Sequence, residues 1–115
     1  MTSKIEVEEF LEIFKTKLSI FDYILINREK NSQTINNLEL KEKDIRKVLE
    51  ALSIKDYSEG SKQEDFYGGK EMWIFGKNIK KILIYIKVTL AGISKPVICI
   101  SFHEAEYDMI FPFNE

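Results

Sequence analysis

Tyr85 and Lys87 stand two residues apart in one apolar stretch, and Ser101 and His103 repeat that spacing in the next. Residues two apart on a strand share a face. If the two faces coincide, four polar groups converge on one side of a sheet. Such a set has the chemistry to cut RNA without a metal. One group takes the proton of a ribose 2′-OH, the lysine stabilises the charged phosphorane, and another group protonates the leaving oxygen. His103, the only histidine, equally suits a structural residue near a strand end. Tyr85 and Trp73 equally suit a core.

No other motif competes for the role. The chain has no glycine-rich phosphate loop, no CxxC, no paired histidines and no serine-hydrolase elbow. Metal and nucleotide chemistry are therefore not expected, and no cofactor is implied. The one cysteine, Cys99, lies in an apolar run without a mate, which points to a buried thiol in a reducing compartment. From the amphipathic, acidic beginning and the lack of any long apolar window, neither export nor membrane insertion is expected. A cytoplasmic protein is expected.

Charge is unevenly placed. The net formal charge is −2, yet residues 66–95 hold six lysines against Glu71 alone, a local +5. Lys77, Lys80, Lys81, Lys87 and their neighbours thus form a basic hairpin on an acidic body, suited to a nucleic-acid backbone or an acidic partner. The alternative is a solvated turn whose lysines block edge-to-edge pairing.

These groups need a scaffold, and 115 residues with 44% hydrophobic and 31% charged side chains suit one α+β domain, 1–115, with one core. Ser3 and Glu6 form a capping-box pattern. Val7, Phe10, Leu11, Phe14 and Leu18 then follow at helical spacing. Tyr23 to Asn27 predicts a short strand, and the polar segment Arg28 to Asn37 a turn or irregular loop. A second helix is predicted from about Lys41 to Leu52, with Ile45, Val48, Leu49 and Leu52 on one face. Ser53 to Gln63 and Gly68-Gly69 read as loop before a strand at Glu71 to Phe75. A turn at Gly76-Lys77-Asn78 then precedes the period-two strand Ile82 to Leu90, and Val97 to Glu104 completes a meander. Two helices in front of a mainly antiparallel sheet are the expected architecture.

The segments Leu38-Glu39-Leu40, Asp56 to Gly60, Trp73 to Lys77, Tyr85-Ile86-Lys87 and Ile100 to Phe113 occur in an order that resembles the MqsR-type toxins of bacterial toxin–antitoxin systems. The closing Ser-Phe-His…Tyr…Pro-Phe stretch is the most specific part. The resemblance implies a RelE/ParE-like fold, a metal-independent endoribonuclease acting on RNA, whether free or ribosome-associated, and a cognate antitoxin as partner. It also implies active-site roles for Tyr85 and Lys87, which match a Tyr-x-Lys strand, and for Tyr57, at an aromatic position. Strand alternation adds His103 as a catalytic candidate and Ser101 on the substrate side, and the basic hairpin adds Lys77, Lys80 and Lys81 there. The chain departs from the founding toxin, which has a lysine in place of His103 and a polar residue in place of Ile74. A ParE-like inhibitor of DNA gyrase, needing the basic hairpin but not His103, and a non-catalytic binding module are the alternatives.

Overall fold

The computed structural model describes residues 2–63, 65–67 and 71–114. Gly68, Gly69 and Lys70, counted above in a loop and in the basic segment, lie outside them. Helix α1 spans Lys4–Phe21 and opens on the expected capping box. The Ser3 hydroxyl accepts the Glu6 N–H, and the Glu6 carboxylate accepts the Ser3 N–H. Its stripe of Val7, Phe10, Leu11, Phe14 and Leu18 is buried. Strand β1 (Tyr23–Leu25) follows, then α2 (Glu29–Asn37), α3 (Glu42–Glu50) and a single 3-10 turn, Ile54–Asp56. The remaining strands are β2 (Tyr57–Lys62), β3 (Met72–Ile79), β4 (Ile82–Thr89) and β5 (Val97–Glu104). Among the described residues no helix is long and apolar enough to cross a membrane.

The strands form one sheet in the order β1-β5-β4-β3-β2. β1 runs parallel to β5, and the other three pairings are antiparallel. On one face α1 and α3 cover Trp73 and Phe75 of β3, Ile84, Ile86 and Val88 of β4, and Cys99 and Phe102 of β5. Phe10 stacks on Trp73 with ring centroids 4.6 Å apart. Cys99 is fully buried, which pushes its thiol far above the usual range.

Three expectations are corrected. Three α-helices, not two, are present, because Arg28 to Asn37 is a helix and not a loop. It carries no apolar stripe since its buried side chains, Asn31 and Thr34, serve a polar purpose. β5 extends beyond the end of β1, leaving backbone groups at the sheet edge that need partners. Asn31 Nδ2 donates to the carbonyls of Ile26 (2.9 Å) and Ile100 (3.1 Å), and its Oδ1 accepts the Phe102 N–H at 2.8 Å. Thr34 Oγ1 accepts the Glu104 N–H at 2.9 Å. Two side chains of α2 thus stand in for a neighbouring strand.

The segment Ser53 to Gln63 is not loop throughout: it contains the 3-10 turn and the edge strand β2, whose pairing with β3 is interrupted by register shifts. The turn expected at Gly76-Lys77-Asn78 lies instead at Lys80-Lys81, both with positive φ (51° and 72°), because β3 continues to Ile79. Two-residue hairpins need that left-handed geometry to match strand twist. The sheet is mainly antiparallel, with one parallel pairing where β1 joins its edge.

Beyond β5 the chain crosses the face opposite the main core. The Ala105 N–H bonds to the Leu83 carbonyl, and Tyr107 sets its ring edge-on to Tyr85 at 6.1 Å. A Cβ on Gly76 would lie 2.7 Å from Phe111 Cζ and 3.0 Å from Met109 Sδ. Further on, the Ser58 hydroxyl donates to the Ile110 carbonyl, and Phe113 stacks on Tyr57. Residues 105–113 therefore form a strap from β5 across β4 and β3 to β2.

Candidate functional site

Pairing of β4 with β5 sets Tyr85 opposite His103 and Lys87 opposite Ser101. The two faces anticipated from alternation are one face. Strict alternation along β5 would nevertheless have put Cys99 on that face as well. An extra residue, Ile100, bulges opposite the Lys87–Val88 step, so Cys99 enters the core while Ser101 and His103 face away from it. Registers with β3 and β2 extend the pairs into two rows, Gly76–Tyr85–His103 and Glu59–Ile74–Lys87–Ser101.

His103 is only 7% exposed. Its ring stacks on Tyr85 at 5.2 Å, and Nδ1 lies 2.9 Å from the Glu104 carbonyl oxygen. A carbonyl can only accept, so this bond assigns the proton to Nδ1 and leaves Nε2 of the neutral ring with its lone pair. Tyr85 is half-buried. Burial first, then the neighbouring Tyr107 hydroxyl, drives its phenol well above the ordinary value, so it stays protonated and can donate. Lys87 Nζ lies 5.9 Å from the centre of the Tyr85 ring. Burial first, then the charges of Arg28 and Lys62, lower the pKa of its ammonium.

Three side chains not singled out by the sequence join this face. Arg28, the N-cap of α2, donates from Nη1 to Ser101 Oγ at 2.9 Å. Glu59 is ion-paired with Lys62 at 3.0 Å. Tyr107 places its hydroxyl 3.5 Å from Glu59 Oε2. Tyr107 had a signal, its place in the closing Ser-Phe-His…Tyr stretch. Arg28 had none, since a loop reading of its segment gives it no direction. A cleft of about 320 Å³ opens beside His103, lined by Lys30, Gln33 and Thr34 of α2 and by Glu104, Ala105 and Glu106. Tyr85 and Lys87 lie on the sheet next to it and do not line it.

The other residues anticipated for substrate binding are elsewhere. Tyr57 is buried against Phe75, Trp73 and Phe113, and its hydroxyl donates to the Gly60 carbonyl. Lys77 is paired with Asp56 at 3.2 Å. Lys80 and Lys81 form the hairpin tip, where Lys80 Nζ donates to the Leu38 carbonyl. The fold thus gathers Tyr85, Lys87, Ser101 and His103, and leaves Tyr57, Lys77, Lys80 and Lys81 apart from them. Among the described residues no group of three or more His, Cys, Asp or Glu side chains could hold a metal ion.

Compared with protein-family models, with curated proteins and with solved structures, the chain matches none.

Proposed function

We propose that this protein is the toxin of a bacterial toxin–antitoxin pair, RelE/ParE-like in architecture, and that it cleaves RNA in the cytoplasm without a metal. The observation that supports this most is the pairing of Tyr85 with His103 and of Lys87 with Ser101 on a single sheet face. His103 Nε2 takes the proton of a ribose 2′-OH, and O2′ attacks the adjacent phosphorus. Lys87 stabilises the charge that builds on the phosphorane oxygens. Tyr85, held protonated by burial, gives its proton to O5′ as the P–O5′ bond breaks. The products are a 2′,3′-cyclic phosphate and a 5′-hydroxyl end. A cognate antitoxin protein holds the activity in check.

Two measurements test the reading. Expression in a bacterial host should stop growth, and the purified chain should cut RNA in the presence of EDTA, alone or with ribosomes. Unimpaired growth at confirmed soluble expression would reject the toxin assignment. Arrest without cleavage would transfer the role to a ParE-like block of DNA gyrase, with supercoiling as the activity to assay.

A further inference from the structure

Arg28 and Lys87 are two cations brought together on one face, and among the described residues no carboxylate lies within ion-pair distance of either. The guanidinium of Arg28 is bonded to Ser101 Oγ, and Ser101 is the cross-strand neighbour of Lys87. Lys30, Arg46, Lys62 and Lys77 each have a carboxylate within ion-pair distance. Arg28 and Lys87 have none among the described residues. Two acids whose charge is felt there are engaged elsewhere: Glu59, which acts on Lys87, is paired with Lys62 at 3.0 Å, and Glu106, which Arg28 acts on, with Lys30 at 2.9 Å. Both cations are half-buried, where water screens like charges less than it does on the open surface. Such a pair is unfavourable until an anion joins it.

We propose that Arg28 and Lys87 form a phosphate-binding site, in which one phosphate group bridges the guanidinium and the ammonium while Ser101 holds Arg28 in position. Nη1 is bonded to Ser101, and the remaining N–H groups of the planar fork are free to match phosphate oxygens, with Lys87 as a point charge beside them. The rows on the sheet set the place of this phosphate relative to the chemistry. Lys87 adjoins the row of Tyr85 and His103, so an anion on it lies beside both rings. That the anion is a nucleic-acid phosphodiester rests on the RNA-cleaving function proposed above, whereas anion binding itself does not.

The test is a titration of the purified full-length chain with inorganic phosphate, followed by NMR shifts of backbone amides and of the arginine and lysine side chains. Saturable shifts centred on Arg28, Lys87 and Ser101 are expected. Arg28→Gln and Lys87→Gln should each weaken phosphate binding about tenfold, the usual scale for one charge-assisted hydrogen bond. Lys80→Gln, at the hairpin tip, should leave it unchanged. Lys87 projects from the sheet face, so its variant serves if Arg28→Gln disturbs α2. Absence of saturable shifts at these residues, or phosphate affinity equal to wild type in both variants, would overturn the site. Phosphate binding without cleavage of any RNA would keep the site and remove the endoribonuclease function. Cleavage unaltered by Arg28→Gln would keep that function and overturn the identification of the bound anion as the RNA phosphodiester.

Discussion

The rings of Tyr85 and His103 lie nearly parallel across the junction of β4 and β5, 15° between planes and 5.2 Å between centroids. Each ring therefore limits the other's rotation. The Glu104 carbonyl fixes the imidazole from its second side. A base and a phenolic donor are held side by side with little freedom to reorganise, which is the arrangement that favours proton transfer.

If this pair does the chemistry, His103→Ala should slow single-turnover RNA cleavage by about 10²–10⁴ while RNA affinity stays close to wild type. Tyr85→Phe keeps the stack and should show the loss of the hydroxyl alone. Lys87→Ala should raise the barrier by about 3–4 kcal/mol, the cost of one electrostatic contact to a developing oxyanion. Full cleavage by His103→Ala would reassign the imidazole to a structural role.

Asn31 bonds three backbone groups from within the protein. Asn31→Leu would strip those partners from Ile26, Ile100 and Phe102, and should destabilise the fold by about 2–4 kcal/mol. Urea unfolding monitored by Trp73 fluorescence measures this. A change under about 0.5 kcal/mol, the range of ordinary surface substitutions, would mean that water takes over the carboxamide's role.

Gly76 lies under the strap, and Gly76→Ala would force Phe111 and Met109 outward. Overpacking of this kind costs about 1–3 kcal/mol. Phe111→Ala in the same chain should recover part of the loss, because the two positions share one contact and their effects do not add. Equal destabilisation in the presence and absence of Phe111→Ala would show that Gly76 matters through its backbone and not through this contact.

Alkaline pH should weaken the fold through its phenols. A tyrosine in the unfolded chain ionises near pH 10, whereas burial, then Glu42 and Asp22, push Tyr23 up to about 12, and Tyr85 moves in the same direction. The stability linked to these groups is intact below the unfolded value. Above it the unfolded chain releases protons that the folded chain keeps, so stability falls as pH rises through the folded values. Tyr23→Phe and Tyr85→Phe should each flatten the decline of urea midpoints measured above about pH 10. An undiminished slope in the double variant would place the titration in other groups.

What the sequence determined by itself is what local periodicity encodes. The buried stripes of α1 and α3 were legible because each apolar set repeats at helical spacing, and β4 because Ile84, Ile86 and Val88 alternate with Tyr85 and Lys87. The capping box at Ser3 and Glu6 was legible because both partners lie within one helical turn. Tertiary structure decided the rest, because the groups that explain it are far apart in the chain. Helix α2 has a polar buried side whose partners include β5, so no apolar pattern announces it, and β2 is a short polar edge strand completed by β3. The bulge at Ile100, which separates Cys99 from Ser101, depends on how β5 pairs with β4. Tyr57 lies in the core and Arg28 against Ser101 for the same reason. Side-chain type says what a residue can do, while the packing of distant segments decides what it faces.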